Sequence, residues 1–299
     1  MPTPAAAAAP TRAASAVSDT VPSPSTASSA RRPHRSRITG RQTFIRAVYA
    51  EWVKIHSLRS TWITSGLALF LTASFGAAIA IAYAAEEAYS EAADSLTVGI
   101  TFGQIVICVQ AALIVTGEYA SGQIRSSLAA VPHRGRLLAA KAVVVSALAF
   151  LLGLVSILVA WGVSAPFLGE HAGSLTDPEY LGYFWGAGLS FVGIALMSLG
   201  LGFLLRSTAG TITLAVVLLF IIQIPLGLLA MRWPQAAEAV GLLPGGASQA
   251  VSDPFSQIAQ WGVSGTQYAL EHWQAVTVFA AWAVVPVVIG WIVLSRRDA

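Results

Sequence analysis

The stretch AVVVSALAFLLGLVSILVAWGV, residues 142–163, contains no Asp, Glu, Lys, Arg or His. An α-helix rises 1.5 Å per residue, so about 20 apolar residues cross a hydrocarbon core that is roughly 30 Å thick. In lipid, backbone N–H and C=O groups must find their partners within the segment itself. This stretch is therefore predicted to be a membrane-spanning α-helix.

Five further windows of similar length are equally free of charged residues. They are residues 62–84, 96–117, 183–205, 211–231 and 273–294. None alternates polar and apolar residues over about ten positions, as strands of a membrane β-barrel do. Only 10% of the chain is charged, whereas soluble domains carry about 25% charged residues. The predicted fold is an all-α integral membrane protein with six transmembrane helices.

Lysine and arginine are concentrated on one side of the predicted spans. If the N-terminus is inside, segments 40–61, 118–141, 206–210 and 295–299 hold eleven of them, and the outer segments hold only Arg232. Positive charge close to the ends of spans marks the cytoplasmic side. Both termini are therefore predicted to be cytoplasmic.

The first 41 residues differ in composition from the rest of the chain. They consist mainly of Ala, Pro, Ser, Thr and Arg and have almost no large apolar side chains. Such a segment cannot bury enough surface to offset the entropy lost on ordering. Residues 1–41 are predicted to be a disordered cytoplasmic tail, and residues 42–299 to form the six-helix transmembrane domain. The tail's arginines suit either a solvated positive tail or contact with anionic lipid headgroups.

The segment TFIRAVYAEWVKIHS, residues 43–57, has the spacing of an amphipathic helix. Its predicted polar side carries Arg46, Glu51, Lys54 and His56. Its predicted apolar side carries Phe44, Ile45, Val48, Trp52 and Ile55. The segment is too short to span a bilayer, which favours a helix lying in the inner interface. A cytoplasmic extension of the first span is the alternative.

The loop GEYASGQIRSSLAAVPHRGRLLAAK, residues 117–141, is longer than a simple reversal of the chain requires. It has no proline between Glu118 and Val131, and Pro132 is expected to end a helix there. The sequence HRGR suits a tight basic turn before the third span. A short cytoplasmic helix held between two spans is predicted.

Motifs for catalysis and metal binding are absent from the sequence. Neither lysine, Lys54 nor Lys141, belongs to a G-x-x-x-x-G-K-[ST] phosphate loop. No histidine pair has H-x-x-x-H spacing, and the single cysteine, Cys108, lies in an apolar run. The chain is predicted not to be an enzyme, and to bind no metal, cofactor or nucleic acid itself.

The predicted spans contain only mildly polar side chains. Ion-coupled transporters usually keep a charged residue inside the bundle, so a proton- or sodium-driven mechanism is disfavoured. Candidate residues for a translocation pathway are Thr101, Gln104, Gln110 and Gln223. Hydrogen bonding between neighbouring helices is the alternative role for these side chains. Gln223 shortly precedes Pro225, where a kink is predicted.

Two stretches resemble the permease subunits of ABC-2-type exporters. AEWVKIHSLRSTW, residues 50–62, is similar to the entry helix of one bacterial branch of that family, and residues 117–141 are similar to its loop between spans two and three. In the wider family this loop reads Glu-Arg…Gly…Leu…Pro…Lys. The matching residues here are Glu118, Gly122, Leu128, Pro132 and Lys141, and Tyr119 stands in place of the arginine.

The resemblance implies a function as the permease subunit of an ATP-driven exporter in a bacterial cell membrane. The loop would form a coupling helix that docks on a separate ATPase subunit, which would bind the ATP. Two permease chains, identical or different, would pair within the lipid bilayer, with spans two and five near the pathway. The implied coupling residues are Glu118, Gly122, Gln123, Arg125, Ser126, Pro132, Arg134 and Arg136.

Other interpretations remain open from the sequence. The loop arginines could serve only to fix the topology. The chain could be an ion-driven or channel-type transporter, or a membrane enzyme or scaffold that transports nothing. The uncharged interior of the spans suits an amphipathic drug, peptide or lipid better than a small ion.

Overall fold

The computed structural model describes residues 43–89, 92, 95–253 and 270–296. Within these residues the chain forms helices and no strand. Six segments there are long and apolar enough to cross a membrane, which confirms the six predicted spans. They are Arg59–Ala85, Ser95–Ala120, Arg134–Ala172, Pro178–Leu205, Thr208–Arg232 and His272–Arg296. The predicted tail, residues 1–41, lies outside the described residues.

The helices are named in chain order. They are α1 (Phe44–Ser57), α2 (Arg59–Ala85), α3 (Val98–Ala120), α4 (Gln123–Ala130), α5 (Arg134–Leu168), α6 (Pro178–Leu205), α7 (Thr208–Val216), α8 (Gln223–Arg232), α9 (Ala236–Gly241), α10 (Pro244–Ser252) and α11 (His272–Arg296). Helices α7 and α8 form the fifth span together. Because consecutive spans run in opposite directions, α1 and α4 share one end of the bundle, called the α4 end below, and α9 and α10 lie at the other.

Helix α6 lies at the centre of the bundle and packs against α3, α5, α10 and α11. It is rich in glycine, which lets neighbouring helices approach closely. Where α6 crosses α11, a Cβ atom on Gly200 would overlap the backbone of Pro286. A Cβ atom on Gly290 of α11 would lie 2.9 Å from the carbonyl oxygen of Gly200. The two backbones therefore touch at this crossing.

Substitution Gly200→Ala is expected to lower the stability of the bundle by about 1–3 kcal/mol, because the added methyl group forces α6 and α11 apart. The matched control is Gly162→Ala on α5, where a Cβ atom would meet nothing within 4 Å. Thermal unfolding in mild detergent measures both variants. Equal melting temperatures for the two would contradict the close contact of α6 with α11.

The fifth span is irregular one turn before Pro225. Residues Val217–Ile221 form a π-helical turn between α7 and α8. A proline has no N–H to donate to the carbonyl four residues earlier, and a wider turn is one way to accommodate the lost bond. The side chain of Gln223 donates to the carbonyl of Leu219 within this turn. Where the sequence predicts a kink, the helix therefore widens into a π turn, and the side-chain amide of Gln223 contacts the backbone of that turn.

Helix α1 is a separate helix, because the backbone of Leu58 is extended between α1 and α2. It packs against α5. Of its predicted apolar residues, Ile55 is buried, Val48 and Trp52 are partly buried, and Phe44 is exposed. Glu51 and Lys54 of the predicted polar side do not both face solvent, since Glu51 is only 3% exposed and Lys54 is partly buried. Both side chains find charged partners on other helices, which the periodicity of α1 cannot reveal.

The short helix predicted between the second and third spans is present as α4, which ends just before Pro132, but it begins at Gln123 and not at Glu118. Helix α3 continues through Glu118 to Ala120, and Gly122 then adopts a left-handed conformation with φ of 71°. This conformation suits glycine and separates α3 from α4. The expected basic turn before the third span is also wrong, because α5 begins at Arg134. Lys141 consequently lies two turns inside α5.

Two short helices follow the fifth span. Helix α9 begins shortly after Pro234 and ends at Gly241, and these residue types suit the first turn and the end of a helix. Helix α10 packs against α6 and α11. A Cβ atom on Gly186 of α6 would lie 2.7 Å from the carbonyl oxygen of Ser252, so α10 lies directly on this span.

Candidate functional site

Four charged side chains from three helices meet at the α4 end and are called the charge cluster below. They are Glu51 and Lys54 of α1, Glu118 of α3, and Lys141 of α5. The Nζ atom of Lys54 lies 2.7 Å from Glu51 Oε1 and 2.7 Å from Glu118 Oε1. The Nζ atom of Lys141 lies 2.6 Å from Glu51 Oε2 and 2.8 Å from Glu118 Oε1. Each lysine therefore bridges both glutamates, and the formal charges sum to zero.

Most of the charge cluster is shielded from solvent. Lys141 is fully buried, Glu51 is 3% exposed and Glu118 is 4% exposed. Removing a charge from water is unfavourable by several kcal/mol unless a partner of opposite charge compensates it. Here every buried charge has two such partners within hydrogen-bonding distance. The four residues therefore form one electrostatic unit whose members depend on one another.

Lys54 is the most accessible member of the charge cluster. Burial lowers the pKa of Lys54, but hydrogen bonds and charge from Glu118 and Glu51 outweigh this effect and leave the pKa raised. A raised lysine pKa contributes stability that is fully present below the ordinary value of about 10.4 and is lost as the pH rises through the folded-state value. Lys54 therefore remains charged at physiological pH.

Helix α4 lies directly on the charge cluster. Lys54 Nζ donates to the hydroxyl of Ser127 at 3.2 Å. One helical turn away, Ile124 is buried in an apolar cluster with Ala47 of α1 and Leu137 of α5. One side of α4 is thus held by polar and apolar contacts. The other side exposes Gln123, Arg125, Ser126, Ala129 and Ala130.

The predicted coupling residues do not all lie on this exposed surface. The exposed ones are Gly122, Gln123, Arg125, Ser126, Pro132 and Arg136. Glu118 is buried in the charge cluster. Arg134 donates to the carbonyl of Leu294 at 2.7 Å, and so satisfies a carbonyl group in the last turn of α11. Glu118 thus joins α3 to α1 and α5, and Arg134 joins the start of α5 to the end of α11.

Tyr119, which replaces the arginine of the wider family pattern, packs against the end of α6. Its ring meets Phe203 edge-on with centroids 6.3 Å apart. The guanidinium carbon of Arg206 lies 5.1 Å from the centroid of the tyrosine ring, within the range of a cation–π contact. This position therefore ties α3 to α6 through aromatic packing.

A second feature is a cavity of about 370 Å³ between α3, the fifth span, α9 and α10. Its lining residues are Thr101, Gln104, Leu219, Phe220, Gln223, Ile224, Gly227, Leu228, Met231, Val240, Gly245 and Gln249. Three of the four predicted pathway residues therefore line one cavity. Gln110 does not, because its amide donates to the carbonyl of Thr61 at 3.1 Å and to Ser65 Oγ at 2.7 Å on α2.

Gln104 also connects helices. Its amide donates to Ser190 Oγ of α6 at 2.8 Å and to Ser248 Oγ of α10 at 3.0 Å. The hydrogen-bonding role that the sequence allowed for these amides is thus present in Gln104 and Gln110. In the part of the chain that the structure describes, no group of three or more His, Cys, Asp or Glu side chains is placed to hold a metal ion.

The model of the family described as "ABC-2 family transporter protein" matches residues 47–222, which is more than half of the 299 residues. The chain belongs to this family. The resemblance seen in the sequence is confirmed, and the protein is an ABC transporter permease. The match includes all four residues of the charge cluster and the whole of α4. No curated protein matches the permease.

No prediction from the sequence brings the four residues of the charge cluster together, although each was named for another reason. Glu51 is the only acidic residue within positions 40–61, and Glu118 is the only one within 118–141. Both lysines of the permease lie in these same two segments. A lone acidic residue in an otherwise basic segment at the end of a span is a signal that its charge is paired. This signal could have predicted the charge cluster before the structure.

Proposed function

We propose that the permease is a subunit of an ATP-driven exporter and is coupled through α4 to a separate ATPase subunit, which binds the ATP. The observation that supports this proposal is the charge cluster. It joins α1, α3 and α5 beneath α4, while the opposite side of α4 is exposed. A helix that packs against the spans on one side and is exposed on the other can be displaced by a partner protein that binds the exposed side.

Movement of α4 would reach the membrane through its two ends and through its fixed side. Gly122 connects α4 to α3, and the short segment at Pro132 connects it to α5. The bond from Lys54 to Ser127 connects α4 to the charge cluster, and therefore to α1 as well. A displacement of α4 would move the second and third spans together. That movement is the coupling step of the proposed mechanism.

The α4 end is proposed to face the cytoplasm of a bacterial cell, where an ATPase has access to ATP. The basic loops support this orientation, because all but one of the Lys and Arg residues near the spans lie on that side. Both termini would then be cytoplasmic, and α9 and α10 would lie on the outer side.

A second permease chain is proposed to complete the translocation pathway. In the apolar stretch of the fifth span only 11% of the residues are buried, compared with 72% for the fourth span. The fifth span is thus free to contact another chain, and it also forms one wall of the cavity. Every lining residue of that cavity is uncharged, which suits an uncharged or weakly polar amphipathic substrate.

The partnership is tested by isolating the permease from membranes of its native host in mild detergent and identifying the proteins that accompany it. A stoichiometric partner that carries G-x-x-x-x-G-K-[ST] is expected, because the permease has no such motif of its own. If the permease is isolated alone, or with proteins that include no ATPase, at every salt concentration, the proposal fails.

Substitution Gly227→Phe is expected to block transport without unfolding the permease. Gly227 lines the cavity, and a Cβ atom there would meet nothing within 4 Å. The control is Gly66→Phe on α2, which is equally unobstructed and does not line the cavity. The measurement is stimulation of the ATPase activity of the reconstituted complex by a panel of uncharged amphipathic compounds. Stimulation that survives in Gly227→Phe would remove the cavity from the pathway.

A further inference from the structure

We propose that a groove between α1 and α5 binds the acyl chain of an anionic phospholipid from the membrane leaflet at the α4 end. The groove has a volume of about 270 Å³. The residues that line it are Ile45, Val48, Tyr49, Trp52, Val143, Val144 and Ala147. All are apolar or aromatic, so the groove offers a continuous hydrocarbon surface.

The position of the groove determines which molecules reach it. Its floor is formed by Val143, Val144 and Ala147, which belong to the third membrane span. Its wall is formed by α1, whose Ile45 and Tyr49 are 78% and 67% exposed. Because the third span is long and apolar enough to cross the membrane, the side of the groove that it forms borders lipid, where large apolar side chains are stable. A lipid chain is therefore the occupant with direct access.

The sequence of the N-terminal tail does not offer an apolar segment that would compete with a lipid chain. The N-terminal tail, residues 1–41, contains only Met1, Val17, Val21 and Ile38 as larger aliphatic residues, and the first three are separated from one another by polar residues, prolines and alanines. Such a segment cannot place a continuous apolar surface in the groove. An acyl chain does so over its whole length.

Charge favours an anionic headgroup at the N-terminal end of α1. The first turn of α1 carries no acidic residue and holds Arg46, which follows the groove residue Ile45 in the sequence. The only acidic residue of α1, Glu51, is buried in the charge cluster on another side of the helix. A helix N-terminus is also positively polarised. Phospholipids with a net negative headgroup are therefore favoured over zwitterionic ones.

Helix α1 lies between the groove and the charge cluster. Val48 and Trp52 line the groove, and Glu51 between them reaches Lys141. A lipid that fills the groove would hold α1 against α5 and so support the charge cluster beneath α4. This consequence for regulation rests on the proposed coupling function. The binding site itself does not.

Native mass spectrometry of the purified permease tests the site. The protein is reconstituted in vesicles of equal phosphatidylethanolamine and phosphatidylglycerol and released in mild detergent. One retained phospholipid per chain is expected, with about a five-fold preference for phosphatidylglycerol. Substitution Ala147→Trp fills the groove from α5 and should abolish retention. The control Ala281→Trp, at an exposed alanine of α11, should retain the lipid.

The proposal is overturned if the wild-type permease retains no lipid, or if Ala147→Trp retains as much as the control. Equal retention of the two lipids would overturn the assignment of an anionic headgroup. Since the measurement involves no ATPase, a failure of the coupling proposal would leave its outcome unchanged. A failure here would likewise leave coupling through α4 intact.

Discussion

Substitution Lys141→Met is expected to destabilise the permease by about 3–5 kcal/mol, the usual consequence of removing one partner from a buried ion pair. Lys141 is fully buried and contacts a carboxylate oxygen on each of Glu51 and Glu118. Without it, two buried carboxylates would share Lys54 alone. Thermal unfolding monitored by size-exclusion chromatography in mild detergent measures the loss.

The double variant Glu51→Gln/Lys141→Met is the matched control for this prediction. It removes one charge of each sign, so the remaining pair of Lys54 and Glu118 is again neutral. A large part of the lost stability should return, because the penalty comes from an unbalanced buried charge. If the single variant is as stable as the wild type, or if the double variant is the less stable of the two, the charge cluster is not the unit described above.

The second large effect is expected at the exposed surface of α4. Substitution Arg125→Glu should weaken binding of the ATPase subunit by about 2–5 kcal/mol, as is typical for a disrupted interfacial charge pair. This corresponds to a loss of about 30-fold or more in affinity. The side chain is exposed, so the melting temperature of the permease itself should not change. Titration of the ATPase subunit against the immobilised permease measures Kd.

The control for Arg125→Glu is Arg59→Glu, which makes the same change of charge at an exposed residue at the start of α2. Because Arg59 lies outside α4, its substitution should alter Kd little beyond the general effect of net charge. Equal losses in the two variants would show that the loop arginines act only through net charge.

The spans were predictable because each consists of about 20 residues without a charge, and lipid leaves such a segment no alternative to a helix. The short helix α9 likewise has local signals, with Pro234 shortly before its start and Gly241 at its end. In both cases the determining residues are close together in the sequence. Local sequence patterns are sufficient for features of this kind.

The charge cluster depends on residues that are far apart in the sequence. Lys54 and Glu118 are 64 positions apart, and Glu51 and Lys141 are 90 positions apart. Helical periodicity places Glu51 on a polar side of α1, and only the packing of α1 on α5 turns that side inward. The pairing energy that stabilises this arrangement is absent until the helices have assembled.

The two glutamines of α3 show that the sequence of one helix does not reveal which neighbouring helix each side chain contacts. Gln104 and Gln110 are six positions apart, which places them about 120° apart around an α-helix. Both were equally plausible pathway residues, since the direction of the cavity is set by α8 and α10. The structure places Gln104 beside the cavity and Gln110 against α2.

Site-specific photo-crosslinking tests most directly the central claim that α4 docks on an ATPase. Benzoylphenylalanine is introduced in place of Ser126 on the exposed side of α4, or in place of Ser174, an exposed residue of the loop at the opposite end of the bundle. Illumination of native-host membranes should yield a covalent adduct with an ATPase subunit from position 126 and none from position 174. No ATPase adduct at position 126, or an equal yield at both positions, would contradict the account.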